Sequence, residues 1–134
     1  MTGQPDGTYA PVDDDRPDPG EVVWAWVPYE DDHTQGKDRP VLVIGTATGR
    51  DGREIVHALP LTSKDHDRDQ DQEAAAGRYW MDVGPGAWDP RGRPSEVRLN
   101  RLLVLAAADV RREGAAVAPA IYAEVIAARQ RFLR

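Results

Sequence analysis

The run EVVWAWVP, Glu21 to Pro28, constrains the fold more than any other stretch of the chain. Successive residues of a strand point to opposite faces. Here both faces carry β-branched or aromatic side chains, so the strand must be packed on both sides, and Pro28 ends it. Further short runs of the same kind follow. PVLVIGTA opens at Pro40, which cannot donate a hydrogen bond and which holds Arg39 in extended geometry. A strand is therefore expected from Pro40, with Arg39 at its entrance and an acidic loop over residues 29–38. EIVHALPLT returns after Asp51-Gly52, a strong signal for a tight hairpin turn. RYWMDV reads as another strand, and SEVRLNRLLVL as two short strands or one bent one, with Glu96, Arg98 and Asn100 on one face and Val97 and Leu99 opposite.

The final element is helical. Pro119 suits its first turn, and Ile121, Val125, Ala128 and Phe132 recur at helical spacing, with Ile126 and Leu133 beside them. That stripe is core. Five or more short strands with one amphipathic C-terminal helix make a mainly β domain, a small, strongly bent antiparallel sheet or partly open barrel, over residues 20–134. Residues 1–19, rich in Pro, Gly and Asp, read as a disordered acidic arm. Residues 63–77, SKDHDRDQDQEAAAG, read as a charged, mobile loop.

The 134 residues suffice for one core, and with no cysteine the chain has neither disulfides nor thiolate chemistry. There is no apolar run of membrane-spanning length and no leader-like N-terminus, so a soluble, cytoplasmic protein is expected. The net charge of −6 conceals an asymmetry. Residues 1–77 hold 7 Lys/Arg against 17 Asp/Glu, while residues 78–134 hold 10 Arg against 6 Asp/Glu. The cationic part uses arginine alone, the side chain suited to two-pronged phosphate contacts. Phosphate-binding, dinucleotide, serine-hydrolase and zinc-protease motifs are all missing. The aspartates from Asp65 to Asp71 lack the glycine and glutamate of a calcium loop. The polar residues that remain near strand ends are His33, Arg39, Thr62, Ser63, Glu96, Arg98 and Asn100.

Three segments, GEVVWAWVPYEDDHTQGKDRPVLVIG, ALPLTS and SEVRLNRLLVL, together resemble the MazF/PemK/Kid-like toxins of bacterial toxin–antitoxin pairs. That family has a G-[DE]-[IV]-[VI]-W opening strand, an R-P strand, P-x-T-[ST], and S-x-[VI]-R-x-D before the last helix. The resemblance covers residues 20–134 and implies an SH3-like barrel, a homodimer and a cognate antitoxin whose disordered tail lies across the site. It further implies an endoribonuclease that cuts single-stranded RNA without metal or cofactor. In such cleavage the 2′-hydroxyl attacks the neighbouring phosphorus, so the site needs a proton acceptor, a donor for the leaving oxygen, and cations or donors for the phosphorane.

Carried onto this chain, the resemblance makes Arg39 the transition-state cation, Thr62 a phosphate hydrogen-bond donor assisted by Ser63, and Arg98 a second cation or proton donor. A surface ion pair with Asp38 or Glu30 is the other role open to Arg39. His33 stands where the Kid-like branch has its histidine and titrates near neutrality, while Thr34 occupies the position of the MazF-branch glutamate. His57 is expected to be structural. Asn100 departs from the family, whose Kid-like branch has an aspartate base there, and an amide cannot take a proton near neutral pH. The base would then be His33 first and Glu96 second. Two other readings remain open: a module that binds single-stranded nucleic acid or an antitoxin peptide without cutting, and a gyrase-directed poison like the related CcdB proteins.

Overall fold

The computed structural model describes residues 7–11, 17–63 and 70–132. Strand β1 (Glu21–Pro28) runs antiparallel to β2 (Gly36–Thr48), which turns back at Asp51-Gly52 into β3 (Glu54–Ser63). Gly52 takes a φ of 83°, the left-handed conformation that such a turn requires of a glycine. A short helix α1 (Gln70–Ala75), β4 (Trp80–Gly84), β5 (Ser95–Arg98) and β6 (Leu103–Ala106) follow. The chain ends in β7 (Arg111–Ala116) and α2 (Pro119–Arg129). All pairings are antiparallel, in the order β4-β5-β3-β2-β1-β7, with β6 also on β3. The domain is mainly β, as expected, and the sheet stays open, with β4 and β7 at its two ends.

β3 organises the molecule because its outer edge is shared. Ile55 to Ala58 pair with β6, and Leu61 to Ser63 pair with β5. SEVRLNRLLVL is thus two strands, separated by a turn at Leu99-Asn100. β1 contributes to cores on both of its faces, but Trp26 is exposed, so the face of Val22 and Trp24 is not covered along its whole length as the sequence suggests. Val22 joins a core of Leu42, Ile44, Leu59, Leu61, Trp88, Val97 and Tyr122 beneath α2. Val23 and Val27 join a second core of Val41, Val43, Val56, Ala58 and Leu103. Within α2 the buried residues are Tyr122, Val125 and Arg129, while Ile121, Ile126 and Ala128 pack partly buried against the core. Phe132, in the short 3-10 turn that follows, does the same, and Leu133 lies outside the described residues.

Four differences from the sequence reading have physical causes. β2 begins at Gly36, so Arg39 is inside a strand, opposite Ala25, instead of at its entrance. Residues 36–40 pair with β1 alone, since the β3 partner begins at Val41, and a proline is tolerated in such a one-sided ribbon. β7 was not foreseen, because RREGAA has no apolar alternation. It is fastened by Arg112, which donates to both carboxylate oxygens of the buried Glu21 at 2.9 and 2.7 Å. Residues 70–75 of the charged excursion are helical, and residues 64–69 lie outside the described residues.

The fourth difference concerns the N-terminal segment, whose residues 7–11 dock on the domain. The Tyr9 hydroxyl donates to the Val117 carbonyl at 2.7 Å, the Tyr122 hydroxyl to the Gly7 carbonyl at 2.5 Å, and the two rings lie 5.6 Å apart. Gly20, at φ 100°, lets the Tyr9 ring approach the backbone where a side chain would collide. Tyr9 supplies an aromatic ring with a polar tip for this docking.

Candidate active site

The one-sided ribbon of β1 and β2, the end of β3, and β5 with its following turn bound a groove. Its larger part, a cavity of about 360 Å³, is lined by Arg39, Thr62 and Arg98 together with Tyr29, Glu30, Asp31, Glu73, Arg78, Trp80 and Arg101. A second cavity of about 200 Å³ shares Arg39, Leu61 and Thr62 with it and adds Ser63, Trp24, Trp88, Asp89 and Arg93. Arg39 and Thr62 therefore stand where the two cavities meet. Among the described residues, the larger cavity sets four arginines against three carboxylates. Three of those arginines come from the cationic second part of the sequence.

Arg98 is a firmly anchored cation. It is 5% exposed, on a strand buried on both faces. Its terminal nitrogens donate to both oxygens of Glu30 at 2.5 and 3.1 Å, and its Nε donates to Asn100 Oδ1 at 2.7 Å. The guanidinium lies 5.8 Å from the centroid of the Trp80 ring, within range of a cation–π attraction. The Arg98 hydrogen bonds are the main reason the Glu30 carboxyl lies below its ordinary range, with Arg101 and Arg78 adding to the effect. Arg101 donates to the Pro28 carbonyl at 2.5 Å, and burial lowers its pKa from the usual guanidinium value.

A second layer holds this one. Glu73 of α1 accepts from Arg78 at 3.0 and 2.7 Å and from Trp80 Nε1 at 2.8 Å, so the short helix fixes the ring beneath Arg98. Asn100 Nδ2 donates to the Gly77 carbonyl at 2.6 Å, while its Oδ1 also accepts from the Tyr79 amide at 3.3 Å. Trp88 Nε1 donates to Ser95 Oγ at 3.0 Å, fixing the floor of the smaller cavity. Asp89 accepts from Arg93 Nε at 2.9 Å and from the Arg91 amide at 2.8 Å.

Of the residues singled out from sequence, Arg39, Thr62 and Arg98 converge on the larger cavity, and Ser63 borders the smaller one. Glu96 pairs across from Thr62 and is 2% exposed. Asn100 follows β5 and secures Arg98. His33 lines a third cavity, with Trp26, Leu102 and Val104, at the tip of a loop that Asp32 braces by accepting from the Thr34 amide and hydroxyl. His57 sits in the sheet between Gly45 and Val104. Of the acids suggested as surface partners of Arg39, Asp38 pairs with Arg111 and Glu30 with Arg98. Sequence reasoning missed Glu30, Arg78, Trp80 and Arg101 as parts of the site. Glu30 reads as one acid in the solvated run Glu30-Asp31-Asp32, and only the fold places it against Arg98.

The chain matches the family model described as PemK-like, MazF-like toxin of type II toxin–antitoxin system, over residues 18–133. It belongs to that family. No curated protein matches the chain closely enough to count as a relative. Among the described residues, no helix is long and apolar enough to cross a membrane.

Proposed function

We propose that this toxin-family chain is an endoribonuclease that cuts single-stranded RNA by 2′-hydroxyl attack, with arginine side chains in place of a metal ion. The observation that carries the reading is the convergence of Arg39, Thr62 and Arg98, from three separate strands, on one groove. A phosphodiester seated between the two cavities meets Arg39 and the Thr62 hydroxyl, with Ser63 on the side of the smaller cavity. Arg39 and Arg98 oppose the negative charge that grows on the phosphorane, and neither gives up its own proton readily. The antitoxin that the family implies would cover this groove with an acidic, extended tail, and the active form would be a cytoplasmic homodimer.

The wiring of Asn100 favours a second reading, a module that holds RNA or antitoxin without cutting. The amide is committed to Gly77 and Arg98 and supplies no base. Incubating the protein and Arg39→Ala with a long single-stranded RNA in EDTA separates the two. The ribonuclease reading expects cuts at a recurring short sequence, slowed about 100-fold to 1,000-fold in the variant, the usual cost of removing one donor to a transition-state oxyanion. Intact RNA that is nonetheless bound in a salt-sensitive manner supports the binding module instead. Equal cutting by Arg39→Ala removes Arg39 from the site.

A further inference from the structure

We propose that Glu30 is the group that accepts the 2′-hydroxyl proton. This rests on the ribonuclease reading above and supplies the base that Asn100 cannot. Among the described residues, three carboxylates line the larger cavity: Glu30, Asp31 and Glu73. Glu73 is committed to three donor contacts with Arg78 and Trp80, and Asp31 is exposed on the loop. Outside the cavity lining, Glu96 is almost fully buried and His33 faces the third cavity. Glu30 combines fixation with access. Both its oxygens are gripped by an arginine whose own side chain is 6% exposed, while the glutamate side chain remains 46% exposed toward solvent and groove. An ionised carboxylate has about four acceptor positions, so the two bonds from Arg98 leave room for a ribose hydroxyl.

The ion pair also gives the step a trigger. Among the described residues, the charged groups facing Glu30 are Arg39, Arg78, Arg98, Arg101, Asp31 and Glu73. In the free protein Arg98 holds Glu30 ionised. When an RNA phosphate enters and draws on the same guanidinium, the carboxylate loses part of that stabilisation, and its affinity for a proton rises. The 2′-hydroxyl proton then passes to a Glu30 oxygen as the 2′-oxygen bonds to phosphorus. The bond from phosphorus to the 5′-oxygen breaks, and that oxygen leaves with a proton from water, giving a 2′,3′-cyclic phosphate and a 5′-hydroxyl.

The test uses the full chain and Glu30→Gln, with Glu30→Asp as the conservative variant and circular dichroism to confirm folding. Single-turnover cleavage at saturating RNA is followed across pH, and affinity is read separately with a 2′-deoxy oligonucleotide that cannot be cut. The proposal expects Glu30→Gln to lose at least about 100-fold in rate, the lower end of what a general base contributes. It also expects the acidic limb of the parent's pH profile to vanish and oligonucleotide affinity to stay within about threefold. Glu30→Asp should keep the limb at a reduced rate. If Glu30→Gln cuts as fast as the parent, or slows uniformly with the acidic limb intact, Glu30 is not the base although the ribonuclease reading stands. If the parent itself leaves RNA intact, both fall together.

Discussion

Two glutamate–arginine pairs mark the ends of β1, and they are built in opposite senses. At the start of the strand, Glu21 and Arg112 bind β1 to β7, with side-chain exposures of 6% for the acid and 24% for the base. Just beyond its end, Glu30 and Arg98 meet at the groove, and there the arginine is the buried member at 6% while the acid is 46% exposed. Both pairs are two-pronged. The first closes a carboxylate inside the protein and fastens an edge strand that has little apolar surface of its own. The second buries the cation and presents the carboxylate to whatever enters the groove. On the proposed function, which partner is buried, more than the presence of a salt bridge, separates a fastening from a site that meets a ligand.

That contrast can be broken at either end. The largest stability effect is expected from Glu21→Ala, which removes the Glu21 carboxylate from Arg112 and loosens β7. A loss of about 3 kcal/mol is expected, at the low end for a broken buried pair because Arg112 is partly exposed. A urea titration reads it, and cleavage per folded molecule should not change. Asn100→Asp comes next. It preserves the acceptor for Arg98 but loses the amide donated to the Gly77 carbonyl, a net cost of about 1 kcal/mol or a fall of roughly 3–6 °C in Tm. If Asn100→Asp melts higher than the parent and cuts RNA faster, the asparagine is no structural anchor and the family's aspartate chemistry still operates at that position.

The smallest effect is a pH dependence. The folded protein holds the Glu30 carboxyl below its ordinary value of 4.5, mainly through Arg98. The stabilisation is therefore complete above about pH 4.5 and is lost as the pH falls through the lower folded value. Between about pH 5 and pH 3 the parent's Tm should drop more steeply than that of Glu30→Gln. Asp32 and Asp89 are also held low, by Thr34 and by Arg91 and Arg93, but they act equally in both proteins. Parallel curves would mean that the pair seen in the groove contributes nothing in solution.

Much of the scaffold is legible in the sequence because it is written in local patterns. EVVWAWVP feeds cores on two faces, though Trp26 stays exposed, Asp51-Gly52 must turn, and Pro119 opens a helix whose spacing marks its buried side. β7 was not legible, since its hold on the sheet is a long-range ion pair and no apolar period announces it. The Arg39, Thr62 and Arg98 triplet could be selected from sequence by resemblance, and the fold brings the three to one groove. Glu30 could not, because a carboxylate two residues past a strand-ending proline looks like solvated loop until a buried arginine from β5 is placed beside it. The position of Arg39 within the strand was hidden for a related reason. A proline inside a strand is tolerated only where one neighbour is missing, and sequence does not reveal which edge is bare.

The proposed function has this groove cleave RNA by internal attack of the 2′-hydroxyl, with arginines as the cations. The most direct measurement is mass spectrometry of the fragment ends produced by the unmodified protein from single-stranded RNA in EDTA. The expected products are 5′-hydroxyl ends and 2′,3′-cyclic phosphates at a recurring short sequence. Fragments ending in 3′-hydroxyl and 5′-phosphate, or RNA left whole, would contradict that function.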